Sequence, residues 1–203
     1  MKIVSYNIND SHPWKIERLL AMDADVWVVP EITCPAQANL PDDLTMKWEG
    51  IDYKYRNVPK WKGLGIIWKK GKGEIPDWNN PEMNYGIPLI VDDYLILGIW
   101  PTKKLRTEEK KFYPQIAQEI IYEYAPHFKD YKTLVIGDFN CYVNQYDNTK
   151  KYGDATPTYY HQFHEDDPYF LDYAYTNVGA ASIRLFPWDK QMSDHIGMEV
   201  TLE

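Results

Sequence analysis

The sequence predicts an α/β protein: two packed mixed β-sheets flanked by helices. Three observations carry this. Short runs rich in β-branched and aromatic residues recur along the chain. Few amphipathic helical stretches interrupt them, and some connections are short enough for hairpins. At 203 residues the chain is read as one domain, 1–203, able to bury roughly 70% of its unfolded surface.

In order, the first strand is expected at "KIVSY" (Lys2–Tyr6), and "PWKIERLLAM" (Pro13–Met22) fits a helix. Strands follow at "DVWVV" (Asp25–Val29), "LGIIWKK" (Leu64–Lys70), "IPLIV" (Ile87–Val91) and "YLILGIW" (Tyr94–Trp100), the last two joined at Asp92-Asp93. The next helix is "YPQIAQEIIYEYA" (Tyr113–Ala125). Ile116, Ile120, Ile121 and Tyr124 share one face, and Pro114 is tolerated in the first turn. Strands then fit "TLVIG" (Thr133–Gly137), "FLDYAYT" (Phe170–Thr176), "SIRLF" (Ser182–Phe186) and "GMEVTL" (Gly197–Leu202). Between them, "TYYHQFHEDDPY" reads as a polar hairpin with a charged turn that holds His161 and His164.

Composition narrows the function. The net charge of −8 excludes a generally basic nucleic-acid binder, so an anionic ligand must be met by a local patch or a metal. The 8 Trp and 17 Tyr exceed what stacking needs, and most are assigned to an aromatic core. Cys34 and Cys141 form no metal-ligand spacing and are expected as free thiols. The amino terminus reads as a strand and no apolar run approaches a membrane span, so a cytoplasmic monomer without a membrane partner is expected.

The segment "TLVIGDFN" ends an apolar strand with Asp138 and Asn140. Residues of this kind also make ordinary turns. Other strands repeat the pattern: "KIVSY" leads to Asn7, and "DVWVV" leads through Pro30 to Glu31. In α/β sheets the carboxyl edge is where ligands bind. Ser193-Asp194-His195 precede a strand and reach the same edge if that strand is antiparallel to the others. Oxygen donors gathered at one rim suit a hard cation.

The segments "SYNIN", "VVPEI", "GLGIIW", "VIGDFN", "FLDYAY" and "MSDHIGMEV", taken in this order, resemble the endonuclease/exonuclease/phosphatase superfamily. Its members include exonuclease III, abasic-site endonucleases, pancreatic deoxyribonuclease, sphingomyelinases and inositol-polyphosphate 5-phosphatases. The resemblance implies a four-layered α/β sandwich and hydrolysis of a phosphate ester with Mg²⁺ or Mn²⁺. It implies that Glu31 binds metal, that Asn7 positions metal and phosphate, and that Asp194 is a second acidic group near the metal. It also implies that Asp138 orients or deprotonates water, that Asn140 holds a phosphoryl oxygen, and that Asp172 bonds His195 at the scissile phosphate. Tyr159, Tyr160 and Tyr169 match aromatics that abasic-site nucleases place near the sugar. The chain departs from the pattern at Pro30, where Gln is common, and at Asn9-Asp10, where glycine is usual. It departs again at Trp100-Pro101-Thr102, where other branches carry Thr-His or a tyrosine.

Two lysine-rich stretches stand out. One holds Lys60, Lys62, Lys69, Lys70 and Lys72 among Trp61 and Trp68; the other holds Lys103, Lys104, Arg106, Lys110 and Lys111. Such runs are usually solvated, yet lysines among aromatics also suit a nucleic-acid backbone. Lys69, Lys70 and Lys72 are taken as substrate contacts. The function expected is a metal-dependent nuclease acting on DNA. The alternative is a hydrolase of a small nucleotide or other soluble phosphate ester; a non-catalytic binder has no need of the full residue set.

Overall fold

Burial on both faces explains the strand runs. The computed structural model describes residues 1–10, 12–55, 58–83, 85–102, 112–142, 150–152, 156–178 and 181–203. Its elements are β1 (Lys2–Ser5), α1 (Pro13–Leu20), β2 (Val26–Ile32), α2 (Pro35–Ala38), β3 (Leu44–Tyr55), β4 (Val58–Lys69), β5 (Gly86–Val91), β6 (Tyr94–Ile99) and α3 (Tyr113–Tyr124). Then follow β7 (Lys132–Asp138), β8 (Lys150–Tyr152), β9 (Tyr159–Tyr160), β10 (Pro168–Tyr169), β11 (Asp172–Thr176), β12 (Ala181–Leu185) and β13 (Met198–Leu202). One sheet runs β12-β13-β1-β2-β4-β3, the other β5-β6-β7-β11-β8, and β9 pairs with β10. β1–β2 and β6–β7 are parallel and the remaining ladders antiparallel, so both sheets are mixed.

Side-chain alternation sorts each strand between two layers. Ile3, Val28 and Ile66 of the first sheet meet Ile87, Ile96, Leu134 and Ile136 of the second in one buried cluster. The opposite face of the first sheet, with Val4, Trp27, Val29 and Ile67, is covered by Ile16 and Leu19 of α1. The opposite face of the second, with Leu97, Val135, Tyr173 and Tyr175, is covered by Ile116, Ala117, Ile120 and Tyr124 of α3. The result is a four-layered α/β sandwich. Each buried aliphatic contributes about 1.5–3 kcal/mol, so strands enclosed on both sides read as continuous apolar runs. Within α3, the Gln115 side chain accepts the Phe112 N–H at 3.0 Å and closes the first turn.

Three differences from the sequence reading have physical causes. β3 is absent from the expected strands because its alternation is half polar: Met46 and Trp48 pack toward the helix layer while Lys47 and Glu49 lie on the other face. β2 does not stop at Val29 but continues through Pro30 to Ile32. The charged connection after Tyr160 holds a 3₁₀ turn, His161–Phe163, inside the β9–β10 hairpin. The stretch that contains Lys103, Lys104, Arg106, Lys110 and Lys111 lies outside the described residues. Among the described residues no helix is long and apolar enough to cross a membrane. Cys34 and Cys141 carry no disulfide.

Glu49 gives a pH prediction. Burial pushes its carboxyl up to about 7, against the weaker pull of Lys47, 3.9 Å away. An unfolded glutamate titrates near 4.3. The folded pKa is the higher one, so the stability tied to this group is fully present below about 4.3 and is lost as pH rises through about 7. Glu49→Gln should therefore gain on the order of 2–3 kcal/mol over wild type at pH 8 and almost nothing at pH 4. Urea unfolding of both proteins at the two pH values measures this; a gain independent of pH rejects it.

Candidate active site

The carboxyl ends of β1, β2 and β7 and the amino ends of β11 and β13 meet at one rim, where the two sheets face each other. The ladder directions require it: β13 runs antiparallel to β1, and Asp172 pairs with Asp138 across β11 and β7. Gly137, just before Asp138, has φ +151°, and a Cβ there would lie 2.0 Å from the carbonyl oxygen of Ile99. Only glycine lets β7 pass β6 this closely. Phe139 turns into the α3 layer. Asn140 leaves the extended path with φ +52°, a conformation asparagine tolerates.

Asp138 is 1% exposed. Its Oδ2 accepts from Asn7 Nδ2 at 2.9 Å, and its Oδ1 from the Asn140 backbone N–H at 2.8 Å. Asn140 Nδ2 donates to Pro101 O at 3.0 Å and to Asp138 Oδ2 at 3.3 Å. Both amide hydrogens of Asn140 thus have partners within the protein, one of them Asp138. Trp100 beside it is buried edge-on against Tyr85, and Thr102 is buried as well. Asn9 and Asp10, where the family has glycine, take positive φ values of 43° and 75°, which short polar side chains permit.

His195 lies across from Asp138. Its Nδ1 is 2.9 Å from Asp172 Oδ2, and since the carboxylate only accepts, Nδ1 carries the proton. Nε2 stands 3.3 Å from Asn7 Nδ2 and 3.9 Å from Asp138 Oδ2. In the neutral ring Nε2 accepts from Asn7. Burial lowers the basicity of His195, but the charges of Asp172 and Asp138 outweigh it and the net shift is upward. Burial also pushes Asp138 up, opposed by His195. Such a pair titrates as a unit. Thr158 and Ser193, both fully buried, support it. Thr158 Oγ1 accepts from Asp172 N–H at 3.0 Å, and Ser193 Oγ accepts from His195 N–H at 3.1 Å.

Glu31 reaches the rim through a β-bulge. Pro30 pairs with Leu64 and Ile32 with Gly63, leaving Glu31 unmatched between them with φ +66°. A bulge re-aims the side chain it carries, and Pro30, with no N–H to donate, sits beside it without cost to the ladder. The Glu31 carboxylate contacts the Lys62 ammonium. Burial and the negative charge of Glu31 push the half-buried Asp194 carboxyl up. Lys15, buried, donates to Ile8 O at 2.7 Å and Asn9 O at 3.1 Å. Burial lowers its pKa against the pull of Asp10, Asp194 and Glu31. Lys15 escaped the sequence reading although it stands one turn before Leu19 on the apolar side of α1, a placement that marks a buried lysine. Tyr113, at the start of α3, is also close enough to feel Asp138 and Glu31; burial first, then those charges, push its hydroxyl up.

Asp138, Asp172 and His195 lie within 4.8 Å of one another and by distance alone could hold a metal. His195 Nδ1 and Asp172 Oδ2 are already bonded to each other, and the Asp138 oxygens accept from Asn7 and Asn140. Glu31 and Asp194, with the Asn7 amide oxygen, are hard oxygen donors and fit a divalent cation better.

The aromatic residues divide. Tyr159 lies beside His195, ring centroids 4.7 Å apart, and Tyr169 lies 6.1 Å from Tyr159 on the exposed side. Tyr160 faces away, stacked on Trp188 at 3.9 Å. The lysines of the first cluster divide as well. Lys62 is at the rim, but β4 runs antiparallel to β2 and carries Lys69 to the opposite edge, beside Asp25 at 3.3 Å. Lys72 follows Lys69 in a turn there, its N–H bonded to Lys69 O at 3.0 Å. Lys69, Lys70 and Lys72 therefore do not join the rim, which corrects their expected place in the substrate path. The side chains of Lys60 and Trp61 are outside the described set.

No protein-family model and no curated protein matches the sequence. Solved structures do match in fold. The 3′ phosphatase NExo from Neisseria, bound to a product DNA hairpin, aligns with a TM-score of 0.69 at 14% identity over 100% of this chain and 99% of its own. An AP endonuclease from Archaeoglobus fulgidus gives 0.63 at 12% identity over 100% and 99%. An endonuclease/exonuclease/phosphatase family protein from Leptotrichia buccalis gives 0.63 at 14% over the same shares. The fold is that of the endonuclease/exonuclease/phosphatase proteins.

The support beneath Asp172 is testable without knowledge of the reaction. Thr158→Val keeps the shape but leaves the Asp172 N–H unbonded in a buried place, which should cost about 1–3 kcal/mol. Chemical denaturation should show a lower midpoint at an unchanged m-value. An unaltered midpoint means that the hydroxyl does not hold the start of β11.

Proposed function

We propose that the chain is a divalent-metal-dependent phosphodiesterase and that its substrate is DNA. The observation that carries this is the joining, at one rim, of the Glu31–Asp194 oxygen donors with the Asn7–Asp138–His195–Asp172 hydrogen-bonded chain. Glu31, Asp194 and the Asn7 amide oxygen would hold Mg²⁺ or Mn²⁺, relieving the repulsion between two neighbouring carboxylates. When bound, the cation neutralises charge that develops on the phosphoryl oxygens.

The chain's own residues supply the rest. Asn7 is held at both ends: its Nδ2 donates to Asp138 and its Oδ1 accepts the Asn9 N–H at 3.0 Å. Asp138, oriented by Asn140, takes the proton of the attacking water, while His195 faces the scissile phosphate. Asp172 holds His195 in the tautomer with the proton on Nδ1, so Nε2 stays directed at the reacting centre. Tyr159 and Tyr169 form an aromatic ledge on which a base or sugar stacks. The DNA bound to NExo and the AP endonuclease activity of the Archaeoglobus protein support DNA as the substrate class. Free Cys34 and Cys141 suit a monomer in a reducing cytoplasm.

A hydrolase of a small nucleotide is the second reading. It is favoured by the net charge of −8 and by the displacement of Lys69, Lys70 and Lys72 to the far edge, since a long polyanion needs basic contacts near the scissile bond.

Hydrolysis assays with Mg²⁺ or Mn²⁺ on single-stranded, duplex and abasic DNA, RNA and cyclic nucleotides separate the two. Turnover of DNA, falling steeply with salt, is expected; turnover confined to small nucleotides with a shallow salt dependence replaces the first reading by the second. Asp172→Asn should keep the fold and lose on the order of 10²-fold or more in turnover, the scale of a misplaced acid–base group. Glu31→Gln should weaken metal binding and turnover together. Wild-type rates at low Mg²⁺ in that variant would remove Glu31 from the metal site.

A further inference from the structure

Lys62 was read from sequence as one of several surface lysines. In the fold its ammonium contacts the Glu31 carboxylate, and the two side chains are only 12% and 19% exposed. The backbone builds this pair. Lys62 sits on β4 directly before Gly63, the residue that meets Ile32 after the bulge, and pairs on its other side with Ile51 of β3. The bulge turns Glu31 out of the regular alternation and onto its neighbour strand. Among the described residues Lys15 is another cation close by, and its ammonium is directed to the carbonyls of Ile8 and Asn9.

A largely buried carboxylate beside a second one, Asp194, is costly without a cation. We propose that Lys62 is the resident counter-ion of Glu31, and that loading of the rim exchanges this ammonium for a divalent cation. The proposal rests on the reading of Glu31 as a metal ligand. The ammonium offsets the charge of the Glu31 carboxylate and aims its side chain while the protein is metal-free. Among the described residues its ion-pair partner is Glu31, and it hangs on a flexible stem, so a hard cation that gathers several oxygen donors displaces it. The consequence is a metal affinity lower than the same oxygen donors would give alone. Arginine at this position would hold the carboxylate with a planar fork and be harder to displace.

The order of Mn²⁺ affinity measured by titration calorimetry with MnCl₂ alone tests this on the full chain, without any activity readout. Lys62→Met should bind Mn²⁺ about tenfold more tightly than wild type, the strength of a partly buried ion pair, and melt at a lower temperature in EDTA. Lys62→Arg should bind it more weakly than wild type. Lys62→Met binding no more tightly than wild type overturns the exchange. If that variant fails to fold, Lys62→Arg decides: equal or tighter Mn²⁺ binding overturns the proposal, weaker binding supports it. A wild type that takes up Mn²⁺ while all three proteins bind equally rejects the exchange alone. A wild type that takes up none rejects the metal reading of Glu31 and the exchange with it.

Discussion

The hydrogen bond from Asn7 to Asp138 joins the two sheets at the edge where both end. Asp138 is a carboxylate withdrawn from water, and an isolated charge in such a place costs several kcal/mol. Much of the local construction answers that cost. Asn140 supplies donors from its backbone and side chain, and its left-handed turn is what brings them round. Gly137 lets β7 lie against β6 so that Asp138 arrives at the seam. His195 stands across from it at 3.9 Å, and Asp172 bonds the far side of the imidazole. Each group is held because the next would otherwise be buried without a partner, and removing one member exposes the rest to the full desolvation penalty.

The pattern of apolar strands that end in Asn7, Glu31 and Asp138 was legible because burial on both faces leaves strands uniformly apolar and makes the polar residue after them conspicuous. The antiparallel approach of Asp194 and His195 was legible only as a condition, since strand direction is a property of the sheet. What escaped was set by geometry that sequence distance does not encode. Glu31 follows a proline, a common mark of a strand's end, yet the strand bulges and continues. β3 hides because one of its faces carries Lys47 and Glu49 in a buried layer. Lys15 drew no reading, and Lys62 was one lysine in a basic run read as solvated or suited to a nucleic-acid backbone, because lysines are rarely buried.

The basic stretch from Lys60 to Lys72 shows the point in distance. A strand advances about 3.3 Å per residue, so Lys62 and Lys69, near neighbours in the text of the sequence, stand roughly 23 Å apart at opposite edges of one sheet. A charge cluster along a helix or loop is a patch; along an extended strand it is two separate sites. Lys62 then belongs with Glu31, and Lys69 with Asp25.

The rim is divided by the kind of positive charge each half can accept. On the Asp138–Asp172–His195 side the groups are closed off and linked by directional hydrogen bonds, so a proton is the cation that fits. On the Glu31–Asp194 side the carboxylates are less enclosed, repel each other, and are met by an ammonium on a flexible stem. A larger, harder cation suits that half, because its carboxylates offer hard oxygen donors. Asn7 touches both halves, its amide nitrogen committed to the protonic side and its oxygen turned toward the β1–α1 loop. Rotating that one side chain would disturb both halves together, and this coupling is what the seam between the sheets enforces.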